Sequence, residues 1–302
     1  MPIRIGTSGW SYDDWDGHVY PKGVTATDRL RWYAERFPTV EVDSTYYRDP
    51  APGFVKGWIQ KTREAPGFEL SVKTPKDLTH ELLVDGDLDA IRRRAEAWRV
   101  AVADPLADAS RLGAILLQLS PAVIHHPRSL DRLDAALAMM RPHPTAVEFR
   151  NRTWHEGDRP RLRDDARALL DAANAAAVVV DGPPFPDIVE GAADHAYVRF
   201  HGRNADRWYR SERGPRRADR RVEDKEERYY GDRYDYLYSD DELDAWMPRL
   251  AGLAGEKDVV RVYFNNHVEG KAFRNGQQME EKLERAEAPV TRVRSPQRRL
   301  PF

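Results

Sequence analysis

Eight short runs rich in β-branched and aromatic residues recur along the chain, and most are separated by segments with helical periodicity. The runs are 3–8 (IRIGTS), 40–44 (VEVDS), 68–73 (FELSVK), 113–120 (GAILLQLS), 146–150 (AVEFR), 176–181 (AAVVVD), 196–202 (AYVRFHG) and 259–266 (VVRVYFNN). Helical patterns fall at 28–37, 54–61, 88–103, 130–140, 162–174 and 240–250. Ser239 followed three residues later by Glu242 reads as a capping box opening the last of these. Alternating strand and helix requires parallel strands, and eight such units predict an α/β chain closed into a (β/α)8 barrel. The connection 182–194 (GPPFPDIVEGAAD) is too short and proline-rich for a full helix, so the helix between strands 6 and 7 is expected to be incomplete.

Within each run the side chains split by their period of two into an apolar and a polar set. Val147 and Phe149 oppose Glu148 and Arg150; Val198 and Phe200 oppose Arg199 and His201. Barrel strands are covered by helices outside, so the apolar set suits the helix layer and the polar set lines the interior. Glu41, Asp43, Glu69 and Glu148 then face Arg4, Lys73, Arg150, Arg199 and Arg261, close to the charge balance that desolvated ions need. The deeper members, Arg4, Glu41, Glu69 and Arg261, read as an ion-pair network that fixes register. Polar residues at the carboxyl ends of the strands read as a site, because barrels of this kind place their chemistry there.

Other properties narrow the function. The 302 residues suit one large domain, taken as 1–288 with a charged excursion at 203–238 and a flexible tail at 289–302. With 48 basic against 50 acidic residues, net charge points to neither nucleic acid nor membrane. The absence of cysteine excludes disulfides and thiolate chemistry. No signal-peptide core and no apolar run of membrane-spanning length appears, so a cytoplasmic protein without membrane contact is expected.

The stretches GTSGWSYDDWDGHVYP, FPTVEVDSTYYRDP, FELSVKTPKDLTH, LLQLSP, VEFRNRTW, YVRFHGRN, YDYLYSDDEL and YFNNHVEG together resemble the YecE-like family, a domain family of unknown function (DUF 72). The resemblance spans nearly the whole chain and implies a TIM-type barrel and a pocket more than an activity, with a loose relation to sugar isomerases. Asp43 is a departure, standing where the family commonly has asparagine; it adds a carboxylate to the site.

Four residues are candidates for catalysis: Glu148 and His201 for proton transfer, with Lys73 and Asp43 beside them. Arg150 and Arg199 should depress the Glu148 pKa, whereas histidine begins near its unperturbed value of about 6.5. Substrate contacts are expected from Ser8, Gln118, Arg150, Trp154, Asp181, Arg199, Arg203, Asn265 and Asn266, and from an aromatic wall of Trp10, Tyr12, Tyr46 and Tyr47. The excess of cations at the mouth fits a phosphate or carboxylate ligand. Glu148, Asp181 and His201, with Asp43, are the residues from which a divalent-metal site would be built, but no local metal motif appears and nearby cations oppose one, so no cofactor is expected. Residues 203–221 hold eight arginines with Trp208 and Tyr209, which suits either a lid over an anion or a single-stranded nucleic-acid contact. In the tail, Gln297, Leu300 and Phe302 resemble the anchors of peptides that dock on sliding clamps.

Overall fold

The structure is a computed structural model, and residues 2–157, 161–183, 191–205 and 233–293 of it are described. Eight parallel strands are hydrogen-bonded in the order β1-β8-β7-β6-β5-β4-β3-β2. They are β1 (Ile3–Thr7), β2 (Thr39–Val42), β3 (Glu69–Lys73), β4 (Leu112–Gln118), β5 (Thr145–Glu148), β6 (Ala175–Asp181), β7 (His195–Phe200) and β8 (Val259–Phe264). Ser8 bridges to Glu41, and the Gly9 amide donates to the Glu41 carbonyl at 2.7 Å, so β1 and β2 meet and nearly close the barrel. Gly6 is required at this seam, since a Cβ there would lie 2.1 Å from the Thr39 carbonyl oxygen.

Around the strands lie α1 (Arg29–Ala34), α2 (Pro52–Lys61), α3 (Leu88–Trp98), α4 (Pro127–Met140), α5 (Asp164–Ala173), α6 (Asp240–Glu256) and α7 (Lys271–Arg285). Ser239 and Glu242 form both bonds of the expected capping box at the start of α6. Between β6 and β7 no helix occurs among the described residues, and 184–190 lie outside them. The periodic pattern at 88–103 is one α-helix, α3, continued by a π-helical stretch at Arg99–Ala103. The sequence reading overlooked α7, although Ala272, Phe273, Gly276, Met279 and Leu283 recur at helical spacing on its buried face. Gly276 lets α7 approach β1 and α1's successor Phe37: a Cβ there would meet the Phe37 ring at 3.0 Å.

The alternation predicted from the sequence sets the two faces of the sheet. Val147, Phe149, Val198, Phe200, Val262 and Phe264 are buried in the outer core beneath the helices. The lower interior is charged on one side only. On β4, β5 and β6 the inward positions below the strand ends are Ala114, Leu116, Ala146, Ala176, Val178 and Val180, packed on Tyr197 and Tyr263, whereas Gln118 and Glu148 end β4 and β5 in polar contacts with Arg199. That apolar half holds the barrel filled, while the charged half runs up β1, β2, β3, β7 and β8. At its lower end Glu69 pairs with Arg4 at 3.5 Å and Arg261 at 3.0 Å, three members of the expected network; Glu41, expected with them, instead pairs with Arg199 near the carboxyl ends of the strands. The tail does not begin at 289, because the Ile3 amide donates to the Pro289 carbonyl at 2.7 Å and Thr291 donates back to Ile3 at 2.8 Å. Beyond 293, including Gln297, Leu300 and Phe302, the chain lies outside the described residues.

Candidate functional site

At the carboxyl ends of the strands an open cavity of about 750 Å3 is lined by residues from the loops after β1, β2, β3, β4, β5 and β8 and by the returning end of the 203–238 excursion. Ten of the expected residues line it: Trp10, Tyr12, Asp43, Tyr46, Tyr47, Lys73, Gln118, Arg150, Arg199 and Asn265. They converge because each lies at an inward position at the end of its strand or in the first turn beyond it.

The floor is a buried ion cluster. Arg199 donates to Glu41 Oε1 at 2.6 Å, Glu148 Oε2 at 2.5 Å and Gln118 Oε1 at 2.9 Å. Arg150 pairs with Glu148 Oε1, and Glu41 also accepts from Ser8 Oγ at 2.7 Å and Tyr197 at 2.6 Å. Burial raises the Glu148 carboxyl, but Arg150, Arg199 and His201 together outweigh it and hold it well below the usual carboxylate range. His201 sits between Asn265, 3.0 Å from Nδ1, and Glu148, 3.5 Å from Nε2. Burial and the Arg199 charge lower its pKa to about 4. The expectation of a histidine near neutrality is thereby overturned: a fully enclosed ring beside a guanidinium stays uncharged. Neither Glu148 nor His201 lines the cavity, and Ser8 also lies beneath its floor.

Four expected contacts lie elsewhere. Asp181 faces outward from β6, where Trp246 donates to it at 2.6 Å, Tyr238 at 2.8 Å and Arg203 at 2.5 Å and 2.9 Å. It therefore cannot join Glu148 and His201, and Arg203 is drawn to the helix layer with it. Asn266, also outward, donates to Asn275 of α7 at 2.8 Å. Trp154 is buried against Phe149 with its indole nitrogen donating to the Val123 carbonyl at 2.7 Å. The expectation for these four failed because a one-residue step along a strand exchanges faces, and because indole and carboxylate groups are equally at home under a helix when bonded. Among the described residues no group of three or more His, Asp or Glu side chains is placed to hold a metal ion.

The wall of the cavity holds Lys73, whose ammonium lies 4.0 Å from Asp43 Oδ1 and 4.1 Å from the centre of the Tyr46 ring. Burial pushes its pKa below the ordinary lysine value; Asp43 and Glu41 pull it back, while Arg199 and Arg150 lower it further. Asp43 Oδ1 is itself buried without a hydrogen-bond partner. Tyr46 contacts His80 Nε2 at 3.2 Å, and burial with the neighbouring lysines holds His80 at about 4. Tyr12 is stacked on His267, and Tyr47, 81% exposed, packs edge-on against Tyr46 at the rim. Sequence reasoning missed Lys76, His80, Arg233, Tyr234 and His267 as lining residues. Lys76 and His80 were legible in principle: TPKDLTH follows β3 directly and starts a π-helical turn at Asp77–Leu82, a distortion frequent at functional sites. Trp208, Tyr209 and the arginines at 207–221 lie outside the described residues.

Comparison with known proteins agrees with this architecture. Residues 4–300 match the family described as "Protein of unknown function DUF72". The UPF0759 protein YunF of Bacillus subtilis is 28% identical over 289 residues, which cover 93% of this chain and 95% of that protein. A DUF72 family protein of Thermotoga maritima is 30% identical, with a TM-score of 0.75 over 94% of this chain and 100% of that one. A second solved member, from Enterococcus faecalis, shares the fold at 23% identity and a TM-score of 0.72, over 93% of this chain and 95% of that one. The chain belongs to the DUF72 family.

Proposed function

We propose that the protein is an enzyme that binds a small phosphate- or carboxylate-bearing substrate and transfers protons with Lys73 and Asp43. One observation carries the reading: among the described residues lining the cavity, Lys73, Lys76, Arg150, Arg199 and Arg233 are set against the single carboxylate Asp43. Glu41 and Glu148 behind the floor balance Arg199 and Arg150, which sets Lys73 and Lys76 against Asp43. An anion entering this space meets charge already desolvated and fixed in place, the arrangement that stabilises developing negative charge most strongly. Proton transfer falls to Lys73 and Asp43 rather than to Glu148 and His201. Glu148 has both oxygens engaged by arginines, and His201 is enclosed and uncharged, so these two position Arg150 and Arg199.

Inorganic phosphate and citrate are the probes. Either should raise the thermal midpoint, by an amount equivalent to about 2.7 kcal/mol at a hundredfold excess over Kd. Lys76→Ala should reduce that shift while leaving the unliganded midpoint nearly unchanged, since Lys76 is exposed. No stabilisation of the wild type by either anion contradicts the reading. Stabilisation by single-stranded DNA but by neither small anion replaces it with the nucleic-acid reading.

A further inference from the structure

We infer that Lys73 is a covalent nucleophile that condenses with the carbonyl carbon of an anionic aldehyde or ketone to form an iminium. The inference rests on the anionic-substrate reading of the cavity and adds to it the functional group on which the chemistry occurs. Lys73 ends β3 with its side chain directed into the cavity, and its backbone is pinned by Thr45 Oγ1 donating to its carbonyl at 2.6 Å.

A lysine kept only as a structural ion would be expected to donate charge-assisted hydrogen bonds to its carboxylate at about 2.7–2.9 Å. Here the ammonium makes no hydrogen bond among the described residues. Its ion pair with Asp43 is 4.0 Å long, and its other neighbour is the face of Tyr46. Asp43 Oδ1 accepts no hydrogen bond and lies 4.0 Å from both Lys73 and Arg199, which leaves it open to serve as the base beside an adduct on Lys73. Burial keeps the amine below its ordinary pKa and so raises the fraction carrying a free lone pair.

The atoms balance without an oxidant or a reductant. The Lys73 lone pair attacks the carbonyl carbon, a C–N bond forms, and the carbonyl π pair moves to oxygen. A proton leaves nitrogen through Asp43 to that oxygen, giving a neutral carbinolamine. A second proton, taken from solvent, lets the C–O bond break and water depart, and the iminium is left with the positive charge. That charge occupies the place of the original ammonium, beside Asp43 and over Tyr46, so the product keeps the same electrostatic partners. Lys76, Arg150 and Arg233 hold the phosphate or carboxylate of the same molecule at the rim.

Trapping by reduction tests this directly. The full chain is incubated with dihydroxyacetone phosphate, pyruvate or the neutral ketone hydroxyacetone, each with sodium cyanoborohydride, and peptides are mapped by mass spectrometry. The expected result is a single reduced adduct on Lys73, formed about tenfold faster than any adduct on the exposed Lys22 or Lys56. Lys73→Arg, which keeps the charge and removes the nucleophile, should abolish the adduct yet keep the thermal stabilisation by phosphate. Asp43→Asn should slow trapping without moving it to another lysine. Adducts spread evenly over surface lysines, or an undiminished adduct in Lys73→Arg, overturn the inference. Phosphate stabilisation with no trapping by any probe overturns it while the anion reading stands. Equal trapping of hydroxyacetone and the two anions, with no phosphate stabilisation, upholds the nucleophile and overturns the anion reading.

Discussion

Arg199 shows how far a charged side chain's role depends on what surrounds it. In the sequence it is one of several cations expected at a pocket mouth. In the fold it is 1% exposed and shared between Glu41 and Glu148, which are fully buried. Replacing it with methionine leaves Glu41 without a cation and Glu148 with Arg150 alone, and removal of one partner from a buried ion pair costs about 3–5 kcal/mol. Arg199→Met is therefore expected to lower the urea midpoint severely. Combining it with Glu41→Gln should recover much of the loss. A midpoint within experimental error of wild type for the single variant would contradict the keystone role. In the proposed function rim cations such as Lys76 serve the ligand, whereas Arg199 also holds the barrel's buried carboxylates.

At the scale of elements, the seam between β1 and β2 decides whether eight strands make a barrel or an open sheet. The ladder bonds run continuously from β1 round to β2, but β1 and β2 themselves meet through the Ser8–Glu41 bridge and the Gly9 amide. Gly6 admits the Thr39 backbone at a separation that no side chain allows. Gly6→Ala must push β1 away from β2, and overpacking of this kind costs about 1–3 kcal/mol. Because Ser8 and Gly9 stand two and three residues after Gly6, the same displacement should weaken phosphate binding. Unfolding by urea and phosphate titration of the folded variant measure the two effects separately. Helix α7 teaches the complementary lesson. Ala272, Phe273, Gly276, Met279 and Leu283 make the helix legible from its spacing, but the contact with Phe37 that seats it on the barrel exists only once the barrel has formed.

For the whole molecule, acid sensitivity is the collective property. His80, His155, His195, His201 and His267 all have pKa values lowered by burial, with His80 and His201 at about 4. A histidine held uncharged in the fold but free to protonate when unfolded near pH 6.5 contributes stability that is fully present above that pH. The contribution is lost as pH falls toward the folded value. His201 alone should cost roughly 2 kcal/mol between pH 7 and pH 5. Glu148 acts lower on the scale: its depressed pKa contributes stability above the ordinary glutamate range, lost as pH falls below it. Urea midpoints at pH 7 and pH 5 should therefore differ markedly, and His201→Gln should narrow the difference. Equal midpoints for wild type at the two pH values would contradict this linkage.

The sequence by itself determined the strand order, the parallel pairing and the two faces of most strands. Those follow from local periodicity and from the impossibility of leaving a parallel sheet uncovered. It also assembled most of the cavity lining, because residues such as Lys73, Gln118 and Arg150 mark the carboxyl ends of strands whatever the details of packing. Tertiary structure decided what the ends do. Asp181 and Asn266 stand one position from an inward residue and so face α6 and α7, while His201 and Glu148 are roofed over by Asn265 and Arg150. Whether a polar side chain meets substrate or helix depends on a half-turn of strand twist and on the groups that desolvate it. Both are set by residues far away along the chain, which no local pattern records.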